Sequence, residues 1–437
     1  MSPAEIGSLA IGALVVLIAV GMPIGVGMLL VSFIGVGLIR NDVVAMRMLG
    51  QVANDSLEEY LFAVVPLFVL MGLLVTTSGV GRDTFDVFQR LLRRLTAGLG
   101  VATVFANAVF AAITGISIAS ATVFARVAVP EMRRHGYTRA FATGVVAGSS
   151  VLGMLIPPSL LFIVYAVLAE ESVGRMFLAG VGPGIVLALA FTATILLLAH
   201  TRRPFVFSGG ADTAAHEAVG AGALARKVIP IALLIGLVLG GLYGGFFNPT
   251  EAGAAGAFGA LVIAVLRKSL DRRSFWNLLV ETGQITVSVL FLILAASFFS
   301  RMLALSGMPQ ALAAFFLEGP VGPYGFLVAY IVLVLLLGCL IDSISIMLIL
   351  LPIAVPVAKA IGLDPIWFGV ITVLAVEMGL LTPPFGLSVY TIKSAMGDAD
   401  LKVGEIFRGA MPFLAAMLFT LVLIILFPPL ATWLARL

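Results

Sequence analysis

The sequence predicts an all-α protein that crosses a membrane many times. Of its 437 residues, 61% are hydrophobic and only 11% are charged, against roughly 25% charged residues in a soluble domain. The mean hydropathy is +1.18. The long apolar stretches lack the alternating polarity of a membrane β-barrel, so they must satisfy their backbone groups as helices. This composition excludes a soluble enzyme, a disordered protein and a nucleic-acid binder that uses a basic patch.

The apolar stretches limit the number of crossings. A spanning helix needs about 20 apolar residues, so the chain has room for about ten crossings. A secretory signal begins with basic residues, but no Lys or Arg precedes Arg40, so the first stretch is predicted to be a retained helix. The stretches cover residues 6–20, 23–39, 61–77, 99–129, 141–169, 176–200, 228–247, 251–266, 276–305, 325–358, 366–393 and 410–428.

Basic residues predict the orientation of the chain. Of the 25 Lys and Arg residues, 18 fall in one set of loops, around residues 82–94, 133–139, 202–227, 267–273 and 393–408. The opposite set holds only six. Since basic loops face the cytoplasm, both termini are predicted to lie on the other side.

Two stretches enter and leave the membrane on the same face. Residues 99–130 are flanked on both sides by basic clusters, whereas residues 325–358 are flanked on both sides by loops with few basic residues. Each carries a polar knot in its middle, at Thr114–Ser117 and at Asp342–Ser345. Two short full crossings would explain each stretch, but about 30 residues is short for two crossings and a turn. We therefore predict two re-entrant hairpins, one from each face.

The chain also contains an internal repeat. Six short matches recur in order at offsets of 222–230 residues. Each half holds an odd number of crossings, so the second half is predicted to be inverted, as in secondary transporters. The predicted units are 1–200, a cytoplasmic linker at 201–225, and 226–437. The matches are Pro23 and Gly27 with Pro249 and Gly253, Ser78–Gly79 with Ser306–Gly307, Ser117–Ile118 with Ser345–Ile346, Pro130 with Pro352, Pro157–Pro158 with Pro383–Pro384, and Phe177 and Pro183 with Phe407 and Pro412.

Each half also has a helix interrupted by two prolines, at 141–169 and at 366–393. The prolines remove backbone donors and leave upstream carbonyls unpaired, which membranes tolerate where those groups line a cavity or bind an ion. Carbonyl and hydroxyl oxygens suit a small hard cation such as Na⁺, and helix N-termini favour an anion. The pattern predicts two cation sites beside a central anion site. The alternative is that the prolines only kink a packed helix.

The candidate ligands follow from these elements. The single cysteine, Cys339, excludes cysteine-rich metal sites, and no organic cofactor is expected. For the first Na⁺ site the candidates are Thr114, Gly115, Ser117, Ser149, Ser150, Gly153 and Pro157; for the second they are Asp342, Ser343, Ser345, Glu377, Gly379 and Thr382; for the substrate they are Arg126, Ser117, Ser120, Ser345, Pro158 and Pro384.

Ionisable residues at membrane depth are functional candidates, because burying them is costly. Arg126 could bind a carboxylate with its guanidinium fork, or its side chain could reach the cytoplasmic surface. Asp342 could bind the cation or cap a helix. Glu377 could couple protons or brace the cation site. In contrast, Asn248 and Glu251 flank a proline and fit a capping box at a helix start.

Several runs resemble the large membrane subunit, the DctM type, of tripartite ATP-independent periplasmic (TRAP) transporters. The resemblance covers essentially the whole chain. It implies an Na⁺-coupled importer of organic acids, such as dicarboxylates or sialic acid, in which a mobile domain slides like an elevator in the inner membrane of a bacterium. The runs are Arg126–Met132, Leu155–Ser159, Asn248–Gly253, Asp364–Gly369 and Gly379–Leu387.

The resemblance also implies partners and leaves alternatives. Such subunits work in membrane lipid with a small four-helix membrane subunit and a soluble periplasmic substrate-binding protein, and with no nucleic acid. Many members have a small residue, often Ser, where Ile116 stands, so backbone ligands of the first site are expected more firmly than hydroxyls. A stand-alone cation-coupled organic-anion carrier with a similar inverted repeat is the alternative. A channel would need a continuous polar pore, and an intramembrane hydrolase would need a catalytic constellation; neither pattern occurs.

Overall fold

The computed structural model describes residues 1–209, 221–320 and 322–436. Within these ranges the chain is helical, with one isolated β-bridge between Tyr137 and Phe207. The predicted all-α class is therefore confirmed. Residues 210–220 of the predicted linker at 201–225 lie outside the described residues.

Twelve helices form the first half of the chain. The polar knot of the first hairpin falls between α6 and α7, and the first proline pair lies between α9 and α10. The bounds are α1 Pro3–Ala19, α2 Ile24–Ile39, α3 Asp42–Glu58, α4 Val64–Thr77, α5 Val80–Leu91, α6 Gly98–Thr114, α7 Ser117–Arg134, α8 Arg139–Ser150, α9 Leu152–Leu155, α10 Leu160–Ala169, α11 Val173–Thr201 and α12 Arg203–Val206, with a 3₁₀ turn at Tyr60–Ala63.

Eleven helices form the described second half. A π-helical turn at Gly236–Gly240 joins α13 to α14, and a 3₁₀ turn at Leu434–Arg436 ends the described chain. The bounds are α13 Ala221–Ile235, α14 Gly241–Tyr243, α15 Pro249–Leu266, α16 Arg272–Ser306, α17 Met308–Glu318, α18 Gly322–Gly338, α19 Ser343–Ala360, α20 Pro365–Gly379, α21 Leu387–Met396, α22 Val403–Leu426 and α23 Pro429–Thr432.

The chain is a multi-pass membrane protein by the length and composition of its helices. Within the described residues, six helical segments are long and apolar enough to span a bilayer, or eight if each of two bent helix pairs is one span. Apolar helices such as α1 and α2 have only 17 and 16 residues. They are among the shorter apolar helices left out of this count, so the ten predicted crossings stay a prediction.

Helix bounds in the two halves recur at a nearly fixed offset. Helix α7 begins at Ser117 and α19 begins at Ser343, so the second arms of the hairpins lie 226 residues apart. This register pairs Ser117 with Ser343 and Pro130 with Pro356, whereas the sequence matches paired them with Ser345 and Pro352. Serines and prolines recur within one helical turn here, so motif matching alone could not fix the register.

The two broken helices run in opposite directions. Helix α8 begins just after the first hairpin ends, and α10 ends at Ala169, whose carbonyl accepts a hydrogen bond from Lys359 at the end of the second hairpin (2.6 Å). Conversely, α20 begins just after the second hairpin, and near the end of α21 the Ala395 carbonyl accepts from Arg126 of the first hairpin (3.2 Å). Each broken helix therefore starts beside one hairpin's base and ends beside the other hairpin.

The core lies around α8 and α20. Every residue from 141 to 150 and from 366 to 379 is buried, so these two helices are enclosed by protein. Glycines allow close approaches between backbones: a Cβ added to Gly379 would lie only 2.6 Å from Gly338 Cα, and one added to Gly153 would lie 3.0 Å from Ser117 Cα. Backbone contact of this kind is typical of helix packing in membranes.

An ion-pair cluster joins the halves elsewhere. Arg267, at the end of α15, donates to Asp83 of α5 (2.5 Å) and to the carbonyl of Ser78 (3.3 Å). Lys227 of α13 pairs with Asp83 and with Asp86. The cluster therefore fixes an amphipathic helix of the first half against two helices of the second.

Candidate functional site

Both hairpin tips meet at one buried carboxyl group. Ser117 opens α7, and its Oγ donates to Glu377 Oε1 at 3.5 Å; Ser343 opens α19, and its Oγ donates to the same oxygen at 3.1 Å. Glu377 is 0% exposed. Its second oxygen, Oε2, is buried and has no hydrogen-bond partner among the described residues. Elements that are 260 positions apart in sequence are thus joined at one side chain.

The first tip packs on the first broken helix. Gly115 has a φ of +62°, a conformation that glycine adopts without strain, and this reverses the chain between the two arms. Its carbonyl accepts from the backbone N–H of Leu160 at 3.4 Å. A Cβ at Gly115 would overlap the carbonyl of Pro158. The predicted ligands Gly115, Gly153 and Pro158 are therefore brought together with Ser117.

The second tip is closed by Asp342. One oxygen of its carboxylate accepts from the backbone N–H groups of Ile344 and Ser345, both at 3.1 Å, and the other accepts from Ser345 Oγ at 2.5 Å. Asp342 is thus an N-cap, the second of the two roles considered for it. Cys339 Sγ donates to the carbonyl of Pro383 at 3.3 Å, so this tip also packs on its own broken helix.

Other predicted hydroxyl ligands bond to their own helices. Thr114 Oγ1 donates to Phe110 O (3.0 Å), Ser150 Oγ to Ala147 O (2.9 Å), and Thr382 Oγ1 to Met378 O (2.8 Å). A hydroxyl that donates in this way keeps two acceptor lone pairs. Ser120 Oγ is buried without a partner among the described residues.

Asn107 is a buried polar residue that the sequence reasoning missed. Its Nδ2 donates to Ser149 Oγ at 2.7 Å, and Ser149 Oγ in turn donates to Val145 O at 2.7 Å. Asn107 Oδ1 is buried without a described partner. The sequence does contain a signal for Asn107: an amide in the middle of the apolar stretch 99–129 is costly to bury unless it binds a partner or a ligand.

The donor set around the tips fits a hard cation. The buried atoms there that lack a partner within the described chain include Asn107 Oδ1, Ser120 Oγ and Glu377 Oε2. All three are oxygens, the ligand type that Na⁺ prefers to nitrogen or sulfur. In the described ranges, the tips included, no group of three or more His, Cys, Asp or Glu side chains could hold a metal ion.

Helix ends of both polarities converge near the tips. Helices α7, α10, α19 and α21 begin beside the polar knots and the proline pairs, whereas α6, α9, α18 and α20 end there. Unpaired N–H groups at helix starts attract anions, and unpaired carbonyls at helix ends attract cations. The arrangement can therefore bind a carboxylate and cations side by side.

Arg126 is not brought to the tips. It lies nine residues after Ser117 on α7, which is about 13 Å along a helix axis, and its exposed side chain donates through Nε to the Ala395 carbonyl. Lys359 makes the corresponding bond to the Ala169 carbonyl. Both cations thus meet the carbonyl end of the other half's broken helix, where positive charge is favourable.

Two facing hairpins, two broken helices and a shared polar centre define the chain as a multi-pass helical membrane protein of the secondary-transporter class. The family model described as "Tripartite ATP-independent periplasmic transporter, DctM component" matches residues 11–430. The chain therefore belongs to the DctM family of TRAP transporter large permease subunits. It is a transport protein rather than an enzyme, because its relatives are permease subunits.

Known relatives cover most of the chain. The C4-dicarboxylate TRAP transporter large permease protein DctM of Pseudomonas aeruginosa is 34% identical over 375 residues, which are 86% of each chain. The sialic acid TRAP transporter large permease protein SiaM of Vibrio cholerae is 30% identical over 94% of each chain. The ectoine/5-hydroxyectoine TRAP transporter large permease protein UehC of Ruegeria pomeroyi is 29% identical over 96% of each chain.

A solved structure supports the fold alone. The YdaH transporter of Alcanivorax borkumensis is similar with a TM-score of 0.63 and 14% identity, over 91% of this chain and 90% of that one. At this identity the likeness concerns the architecture and not the ligand. The family implies two partners, a small membrane subunit and a periplasmic binding protein.

Proposed function

We propose that the chain is the transport subunit of an Na⁺-coupled importer of an organic acid. The observation that carries the proposal is the meeting of both hairpin tips at Glu377, beside buried oxygens that lack a described partner. Relatives are named for C4-dicarboxylates, sialic acid and ectoine. Since all three compounds carry a carboxylate, a substrate with a carboxylate fits the convergent helix N-termini best.

The fold of the proposed carrier is an inverted repeat with about ten crossings and two re-entrant hairpins. The opposite directions of the broken helices support the inversion. We take 1–200 and 226–437 as the two repeats, joined by the cytoplasmic linker 201–225. The hairpins and broken helices would move together as an elevator against α2, α4, α15 and α16, in a bacterial inner membrane with both termini in the periplasm.

The ligands divide between two Na⁺ sites and a substrate site. The first cation would bind near Ser117, Ser149 and Gly153, and the second near Ser343, Glu377 and Thr382. The substrate would lie between the tips against Ser120, Ser345, Pro158 and Pro384. Arg126 is left out of this substrate site, because its exposed side chain lies away from the tips and bonds to the Ala395 carbonyl. Asp342 would act on the second site through its cap of α19.

Uptake into proteoliposomes tests the proposal. The chain would be reconstituted with its small membrane subunit, and its periplasmic binding protein would be added outside with a labelled carboxylate. We expect uptake with an inward Na⁺ gradient and almost none when K⁺ replaces Na⁺. Full uptake without Na⁺ would contradict the coupling. Full uptake without the binding protein would favour the stand-alone carrier.

A substitution tests the role of Arg126. Arg126→Lys keeps the positive charge but loses the planar fork that binds a carboxylate in two places. We expect the substrate concentration for half-maximal uptake to change by less than about twofold, because Arg126 lies away from the tips and bonds to the Ala395 carbonyl. A rise of about tenfold or more, as for the loss of a charged hydrogen bond of roughly 1.5–3 kcal/mol, would instead assign Arg126 to the substrate.

A further inference from the structure

A single buried carboxyl group serves both hairpins, although the chain is built from two similar halves. Glu377 lies on α20, and at the fixed offset of 226 residues its counterpart in the first half is Val151. Val151 is fully buried and apolar. The first half therefore has no acid of its own at this position, and Ser117 bonds to the acid of the second half instead.

The carboxyl group is incompletely satisfied. Its described partners are the two serine hydroxyls, both on Oε1, and Oε2 has none in the described part of the chain. Burying an ionised carboxylate without a nearby positive charge costs several kcal/mol. A cation bound at the tips would supply the missing charge.

The direction of the two hydroxyl bonds matters for ligation. A carboxylate oxygen accepts only, so Ser117 and Ser343 must each donate their single hydroxyl proton to it. Each hydroxyl then turns its lone pairs away from Glu377, which is the orientation that a cation requires. The bond from Ser343 is 3.1 Å and the bond from Ser117 is 3.5 Å, so Glu377 orients the second-half hydroxyl more strictly.

We propose that Glu377 is a positioning residue shared by the two cation sites, which orients one hydroxyl ligand of each and thereby couples their occupancy. This inference rests on the proposed Na⁺-coupled function. Two identical repeats would each supply an acid to orient their own ligand, whereas here one side chain orients a ligand in both sites. Groups that orient metal ligands typically change metal affinity 10- to 100-fold when they are removed. Loss of Glu377 should therefore weaken both sites, whereas loss of either serine weakens one.

The experiment is a double-mutant cycle on Na⁺ affinity. The half-saturating Na⁺ concentration would be measured for uptake by the complete transporter, and again for Na⁺-dependent thermal stabilisation of the purified membrane complex, which needs no turnover. We expect Glu377→Gln to raise the half-saturating Na⁺ concentration about 10- to 100-fold. Ser117→Ala and Ser343→Ala should each raise this concentration in the wild-type background. In the Glu377→Gln background each should raise it by less than about a further twofold.

Thr372→Val is the matched control, because Thr372 is buried on the same helix and bonds to Phe368 O and Tyr330, away from the tips. Its Na⁺ dependence should equal that of the wild type. If Glu377→Gln fails to fold, Glu377→Asp keeps the charge with a shorter reach, and we expect it to impair the Ser117 site more than the Ser343 site. The coupling would be overturned if Ser117→Ala or Ser343→Ala raised the half-saturating Na⁺ concentration by the same factor in the Glu377→Gln background as in the wild type.

The outcomes separate this inference from the function on which it rests. Wild-type uptake that needs no Na⁺ would reject the proposed function. Na⁺-dependent wild-type uptake with an unchanged half-saturating Na⁺ concentration in Glu377→Gln would reject only the role of Glu377.

Discussion

The two hairpin cores are built alike in backbone but differ in their buried polar side chains. In the first half, Asn107 on α6 bonds to Ser149 on α8; the residues at the matching helix positions in α18 and α20 are Ile331 and Ala375. The second half has Glu377 where the first has Val151, as described above. Each half thus carries a polar feature that the other lacks.

The shared features are backbone devices. Gly153 and Gly379, 226 residues apart, each contact the tip region of their own hairpin, and Gly79 and Gly307 each follow a helix with φ of +78° and +70°. Backbone geometry is required twice because both halves must form the same hairpin and broken helix. Buried polar groups are costly, so each one persists only where it has a partner or a ligand. The two halves therefore share a backbone scaffold but carry different buried polar side chains.

The largest expected effect on stability comes from substituting the packed glycines that the two halves share. Gly379→Ala would place a Cβ 2.6 Å from Gly338 Cα, whereas Gly153→Ala would place one 3.0 Å from Ser117 Cα. Since backbone atoms cannot move aside cheaply, we expect Gly379→Ala to lower the free energy of unfolding by about 1–3 kcal/mol. Gly153→Ala should cost less. Thermal unfolding in detergent measures both.

Gly12→Ala is the control for these substitutions, because an added Cβ at Gly12 meets nothing within 4 Å. This helical position should tolerate alanine or gain slightly in stability. A larger loss for Gly153→Ala than for Gly379→Ala would contradict the packing described here.

A second prediction tests whether the halves respond alike where they are alike. Gly79→Ala and Gly307→Ala each force a side chain into the left-handed region, which costs roughly 1–2 kcal/mol. Neither position has an atom within 4 Å of an added Cβ, so the strain alone should appear. We expect equal losses within about 0.5 kcal/mol. Unequal losses in thermal unfolding would show that these turns are not equivalent.

A third prediction concerns the polar feature of the first half. Asn107→Leu removes an amide oxygen without a described partner, and Ser149 keeps its bond to Val145 O. We therefore expect a stability change of about 1 kcal/mol or less, but a rise of several-fold in the Na⁺ concentration for half-maximal uptake, as for a positioning group.

Thr103→Val is the control for Asn107, because Thr103 lies one turn earlier on α6 and bonds only to Leu99 O among the described residues. Its Na⁺ dependence should not change. If Asn107→Leu leaves the Na⁺ dependence unchanged as well, the amide is structural and the first site is built without it.

The smallest expected effect concerns the two cations at helix ends. Arg126→Met and Lys359→Met each remove a positive charge that bonds to the carbonyl end of a broken helix. Each should lower the free energy of unfolding by about 0.3–1 kcal/mol. Lys402→Met, which removes a charge before the start of α22, should cost nothing. A loss above that of Gly379→Ala would assign Arg126 or Lys359 a larger structural role.

Much of the local structure was readable from the sequence. Asn248 and Glu251 form the capping box that their spacing predicted, with both bonds at 2.9 Å. Helix α2, Ile24–Ile39, fills the apolar stretch at 23–39. The amphipathic helices α3 and α5 were missed, because a search for apolar stretches passes over helices with polar faces.

The sequence by itself determined the all-α membrane class, the family and the positions where the chain breaks, because these follow from local composition and from motifs within a few residues. The tertiary structure alone decided that Ser117 and Ser343 share Glu377, that Asn107 faces Ser149, and that Arg126 meets Ala395. Such contacts join residues 34 to 269 positions apart. Their partners are chosen by the packing of whole helices, which no local pattern specifies.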